Sequence, residues 1–191
     1  MSEHVFGPKR CRDSRKPAME QCVQVHFYRC KICGMLIHQN GINPERKHVI
    51  CCGREIDLLS GYSREEAVSL NPQIRLDYKI VGGYNDNAVQ VFWNRTNHEV
   101  RPSWIYLKTF TGGYLKYVFP EKNPPLVFAL ADTDAFAYCD ADPCLECTFR
   151  CKRGFELYAW IEAVGLVVVT LDKMSPYWES RETNTPGTGG R

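Results

Sequence analysis

The chain has 191 residues, of which 44% are hydrophobic and 24% charged, and its formal net charge is +2. Those values describe a soluble globular protein with room for one ordinary domain, or for a small domain and a medium one. Lacking a long basic stripe it is not expected to bind nucleic acid, and lacking an apolar run of spanning length it is not expected to enter a membrane; the longest such run, Ala163 to Thr170, suits a buried strand.

Residues 1–24 read as a polar extension, and its one basic excess, Lys9 to Lys16, is expected to be solvated. The segment has no apolar stretch of the kind that forms a secretory signal, so a cytoplasmic location is expected. Reducing surroundings disfavour disulfides, and the ten cysteines then point to metal or redox chemistry. Eight of them fall into two tight clusters: Cys30, Cys33, Cys51 and Cys52, then Cys139, Cys144, Cys147 and Cys151. Cys11 and Cys22 stand apart and take no assigned role.

Residues 25–60 form a small knuckle. An extended VHFYRC run leads into Cys30-x-x-Cys33-Gly34, then MLIHQ, a turn around Gly41 to Pro44, and HVICCG. So small a unit cannot fold on its own apolar core, and a metal or a partner is expected to supply the missing stability. The glycine after each pair, Gly34 and Gly53, is expected to turn with positive φ and to aim an N–H at a coordinating sulfur. Four thiolates in a tetrahedron suit zinc or a single iron equally well. Residues 61–73 read as a linker with a short helix, opened by the capping box Ser63-Arg-Glu-Glu66 and closed before Asn71-Pro72.

From residue 74 to 174 the text changes to strands. IRLDYKIVGG, NAVQVFWN, SWIYLKTF, YLKYVF, PLVFALA, AFAYCD, FELYAWIEA and LVVVTLD are short, aromatic and β-branched, with turn residues between them. Thr111-Gly112-Gly113 marks a hairpin between the third and fourth runs. The fold class is therefore mainly β: a metal knuckle followed by an antiparallel β-sandwich of seven or more strands, or else a barrel, with Trp104 buried inside it. Cys139-x4-Cys144-x2-Cys147-x3-Cys151 packs four thiols into one loop of this domain. Its first part has the spacing of plant-type ferredoxin ligands, so the loop is expected to wrap an iron–sulfur cluster, or else zinc. Residues 175–191 read as a polar tail, expected to be disordered.

YRCKICGMLIH, a short connector and HVICCGREIDLL resemble the N-terminal domain of the desulfoferrodoxins, with their C-x-x-C-G and C-C-G halves. The resemblance implies that Cys30, Cys33, Cys51 and Cys52 hold one iron in a rubredoxin-like Fe(Cys)4 site, the vicinal pair distorting its tetrahedron. WIYLKTFTGGYLKYV and AFAYCD are similar to strands of the superoxide reductases, which implies an immunoglobulin-like sandwich and a homodimer. In that family the catalytic iron is held by four histidines and an axial cysteine. Cys139 matches that cysteine, but Asp142 stands where a histidine follows it, and the motif histidines before Trp104 fall on Asn94 and Val100. Of the five histidines, His4, His26, His38, His48 and His98, only the last lies in the sandwich. A four-histidine plane cannot be assembled there, so no catalytic residue is assigned and superoxide reduction is expected to be lost.

The leading expectation is thus an iron-binding electron-transfer protein served by a redox partner protein. The alternative is a sandwich that serves as a binding module or enzyme subunit, with zinc in both cysteine sets and no redox activity. No histidine has a serine or cysteine at the spacing a hydrolase would need.

Overall fold

The computed structural model describes residues 23–42, 48–81, 87–135, 152 and 154–171. Strand β1 (Gln24–Arg29) pairs antiparallel with β2 (Leu36–Gly41), and β3 (Val49–Cys51) with β4 (Arg54–Ile56). These two hairpins make the knuckle. They are tied by a bridge between Tyr28 and Leu58 and by the Leu59 N–H donating to the Phe27 carbonyl at 2.8 Å. Among the described residues its own apolar base is Tyr28, Cys30 and Ile56, with Ile37, Val49, Cys51 and Leu58 packed around them.

The segment after it is more than a linker. Gly61–Ser63 forms β5, which adds parallel to the last strand, and α1 (Arg64–Leu70) follows at once. The helix starts with the expected capping box: the Ser63 hydroxyl accepts from the Glu66 N–H at 3.2 Å, and Glu66 accepts from the Ser63 N–H at 2.7 Å. It ends at Asn71, before Pro72.

Seven further strands build the sandwich: β6 (Leu76–Val81), β7 (Ala88–Trp93), β8 (Pro102–Lys108), β9 (Gly113–Tyr117), β10 (Leu126–Ala129), β11 (Glu156–Ile161) and β12 (Gly165–Thr170). One sheet has the order β10-β7-β6, the other β5-β12-β11-β8-β9. Every pairing is antiparallel except β5 with β12. Val89, Val91 and Trp93 point inward from β7, as Leu157, Ala159 and Ile161 do from β11, and they meet in one core with Ile105, Leu107, Val167 and Val169. Each such valine, leucine or isoleucine, fully buried, contributes about 1.5–3 kcal/mol by transfer from water. The β8–β9 turn is held by the Thr109 N–H on the Gly112 carbonyl at 2.9 Å. Gly113 follows, and no larger residue fits there: a Cβ would lie 2.3 Å from the Tyr106 ring.

Strand β8 does not alternate. All its residues but Ser103 are buried, because both its faces are covered. Ile105 and Leu107 enter the core between the sheets, whereas Trp104 and Tyr106 lie on the outer face of the five-stranded sheet, beneath β1. Trp104 is buried as expected, but under the knuckle and not inside the sandwich. Phe27 of β1 sits 5.2 Å from Trp104, 5.2 Å from Tyr106 and 5.1 Å from Tyr158, ring centre to ring centre. Polar straps border this contact. Tyr106 Oη donates to Asn40 Oδ1 at 3.0 Å, and Lys108 Nζ donates to Gln24 Oε1 at 3.3 Å and Glu156 Oε2 at 2.9 Å. Tyr158 Oη donates to the same Glu156 oxygen at 2.6 Å. Burial, with the Glu156 charge beside it, pushes this phenol up, so it remains a donor.

The sixth expected strand, AFAYCD, begins instead at the end of a 3₁₀ turn, Asp132–Ala135; its remaining residues lie outside the described ones. The flanks of that segment do meet. Buried Lys152 donates through Nζ to the Ala135 carbonyl at 2.8 Å, and Thr111 holds the buried Asp134 carboxylate through its N–H and hydroxyl at 3.3 and 2.6 Å.

Candidate metal centre

Both halves of the centre are turns whose backbone geometry the sequence dictates. After β1 the chain folds back through Cys30 to Met35, with the Gly34 N–H on the Cys30 carbonyl at 2.9 Å and the Cys30 N–H on the Met35 carbonyl at 3.0 Å. Gly34 has φ 72°, open to glycine at little cost. The second half is a two-residue hairpin: Cys51 pairs with Arg54, and Cys52 and Gly53 form the turn between them. Their φ values are 50° and 72°, and two positive φ in succession mark the type I′ turn that matches strand twist. Cys51 ends a strand, Cys52 opens a left-handed turn, and so adjacent residues bring their sulfurs to one side, 3.9 Å apart. The left-handed glycines were expected from the sequence, but the Gly34 N–H goes to the Cys30 carbonyl and not to a sulfur, and the left-handed cysteine was not expected.

The four sulfurs of Cys30, Cys33, Cys51 and Cys52 lie within 4.8 Å of one another, with Cys33 and Cys51 3.6 Å apart. A metal bound to four thiolates at about 2.3 Å needs sulfurs about 3.8 Å apart, the edge of the tetrahedron. The donor set therefore fits a tetrahedral metal ion. Cys30 is buried, Cys51 half-buried, and Cys33 and Cys52 are exposed, so the centre has one closed side and one open to solvent.

The thiols differ in acidity. The backbone N–H groups of Cys33 and Ile32 point at the Cys30 sulfur and hold its pKa down to about 6. Hydrogen bonding among the crowded thiols, with Cys33 first, pushes Cys51 up to about 12 and raises Cys52 as well. Without a cation Cys30 ionises easily, whereas Cys51 and Cys52 resist, held by their hydrogen bonds with the other thiols and, in smaller part, by the Cys30 charge. A dication removes that penalty.

Arg29, directly before the first ligand, was not singled out in the sequence, although an arginine beside a thiolate is itself a signal. Its guanidinium stacks 4.7 Å above Trp160 and donates to Glu162 Oε1 at 2.9 Å, both at the end of β11.

Cys139, Cys144, Cys147 and Cys151, the other expected ligands, lie outside the described residues. Among the described residues, the histidines do not gather with other ligating groups. His26 lies in β1, His38 packs 5.6 Å from Tyr106, His48 bonds Glu55, and exposed His98 opens a 3₁₀ turn. Asn94 and Val100, aligned above with family histidines, have structural uses. The Asn94 side chain accepts from the Thr96 N–H at 2.9 Å and donates to the Gln73 carbonyl at 3.1 Å, while Val100 is fully buried in the core.

No protein-family model and no curated protein matches the chain. Among solved structures, the crystal structure of the superoxide reductase from Treponema pallidum is similar over 77% of this chain and 98% of that one, at 17% identity and a TM-score of 0.49. No helix among the described residues is long and apolar enough to cross a membrane.

Proposed function

We propose that this chain is an iron-binding electron-transfer protein of the desulfoferrodoxin and superoxide reductase type. The observation that carries the reading is the convergence of Cys30, Cys33, Cys51 and Cys52 within 4.8 Å on two hairpins. Iron bound there would supply a one-electron ferric–ferrous couple. The chain's part is to hold four sulfurs at nearly fixed separations in either state, so that little has to move when an electron arrives. Four protein ligands fill a tetrahedron and leave no position for substrate, which suits electron transfer and not catalysis at this centre. Exposed Cys33 and Cys52 would face the redox partner protein.

In the same reading Cys139, Cys144, Cys147 and Cys151 hold a second metal ion or an iron–sulfur cluster, in place of a histidine-bound iron. Their spacing supports it, as does the closure of the flanks by Lys152 on Ala135, which returns the chain to its starting point. A homodimer and a cytoplasmic location complete the proposal.

Metal analysis and visible spectroscopy on anaerobically purified protein test it. Iron with thiolate-to-iron absorption is expected, together with negligible consumption of superoxide in stopped-flow mixing. Colourless protein with stoichiometric zinc would instead make it a zinc-stabilised binding module.

A further inference from the structure

Arg29 lies between the ligand turn and the end of β11. Its Nη2 atom lies 3.9 Å from where a Cβ on Gly34 would be, so the guanidinium stands beside the turn that follows Cys33. Its plane covers the Trp160 ring at 4.7 Å. The same Nη2 atom donates to Glu162 Oε1 at 2.9 Å. The side chain is only 28% exposed and Glu162 56%. An exposed ion pair alone would contribute about 0–1 kcal/mol and mean little. Here the cation is also held by an aromatic face and stands beside the ligand loop of a centre that carries excess negative charge.

We propose that Arg29 is a positioning residue that sets the charge environment of the four-thiolate centre, and that the sandwich, through the Trp160 ring, holds it in place. The inference rests on the reading that these cysteines bind a metal. The sign follows from charge counting. Four thiolates around a dication leave a net charge of two minus, and around a trication one minus. A fixed cation beside them stabilises the more negative form, which favours binding of a divalent metal and, for iron, the reduced state. Glu162 opposes this in part. Removing either charge must therefore move the centre in opposite directions.

Loss of packing does not explain such a pattern. Arg29→Lys keeps the charge but forfeits the planar stack and the fork, whereas Arg29→Gln keeps much of the length and forfeits the charge. Packing predicts that both variants weaken the centre alike. Charge predicts that the lysine variant stays near the parent.

The test uses the full chain as parent, Arg29→Gln, Arg29→Lys and Glu162→Gln, with circular dichroism to show that each folds. Two readouts are taken: affinity for Co2+ from its thiolate absorption bands, and the reduction potential after loading with iron. Arg29→Gln is expected to lose several-fold in Co2+ affinity and to shift the potential downward. Glu162→Gln is expected to shift both upward, and Arg29→Lys to stay close to the parent. Equal values in all four proteins, shifts of the same sign in Arg29→Gln and Glu162→Gln, or equal losses in the two arginine variants would overturn the proposal. If the parent itself takes up neither Co2+ nor iron on these cysteines, the functional reading above fails and this inference falls with it.

Discussion

Cys52 occupies a backbone region that costs most L-residues about 1–2 kcal/mol, at φ 50°. The chain accepts that strain because the turn sets its sulfur beside those of Cys51 and Cys33. The thiol acidities make the consequence measurable. At pH 7 the metal-free centre carries a thiolate at Cys30, with a pKa of about 6, and neutral thiols at Cys51, near 12, and at Cys52, raised above its ordinary value. Metal binding must expel the protons of Cys51 and Cys52, at least two per ion. Affinity therefore rises with pH across the neutral range, by about 100-fold per unit for two protons. Below the Cys30 value a further proton has to leave and the dependence steepens. Calorimetric Co2+ or Zn2+ titrations in buffers of different ionisation enthalpy will count these protons; a count of one or fewer would contradict the assigned acidities.

At the scale of elements, the two hairpins and the sheet that carries them draw stability from different sources. The knuckle buries few residues of its own, so the metal supplies most of its folding free energy. Cys30→Ser is expected to abolish stoichiometric metal binding and to remove amide protection from β3 and β4, leaving β6, β7, β11 and β12 protected. Loss of protection throughout would show that the sandwich depends on the metal as well. Much of this was legible in the sequence. Paired cysteines at short spacing are local signals, as are the glycines behind them and the Ser63–Glu66 box, and each fixes geometry within a few residues. What was not legible is long-range. Gly61–Ser63 carries no strand signature, since three exposed residues have no alternation to read, and only β12 makes them a strand. Trp104 reads as core by its type, but whether it faces the other sheet or the knuckle depends on what covers the outer face.

For the whole molecule, that cover is the decisive contact. Phe27 is 2% exposed and meets three aromatic rings of the five-stranded sheet. Phe27→Ala should cost about 3–5 kcal/mol, as buried phenylalanines generally do, with a shift in tryptophan emission from Trp104. Denaturant unfolding followed by fluorescence reads both, and a loss below about 1 kcal/mol would mean that the hairpin merely rests on the sheet. The parallel pairing of β5 with β12 has a different consequence, concerning order in time. These strands stand about a hundred residues apart in the chain, yet each completes the other's edge. A chain emerging from the ribosome has all four cysteines of the knuckle in hand long before β12 exists. The thiolate centre can close on local contacts alone, whereas the sheet beneath it must await its last strand, a closure of high contact order and correspondingly slow. Metal capture and the completion of the fold are thus separable events, with capture able to come first.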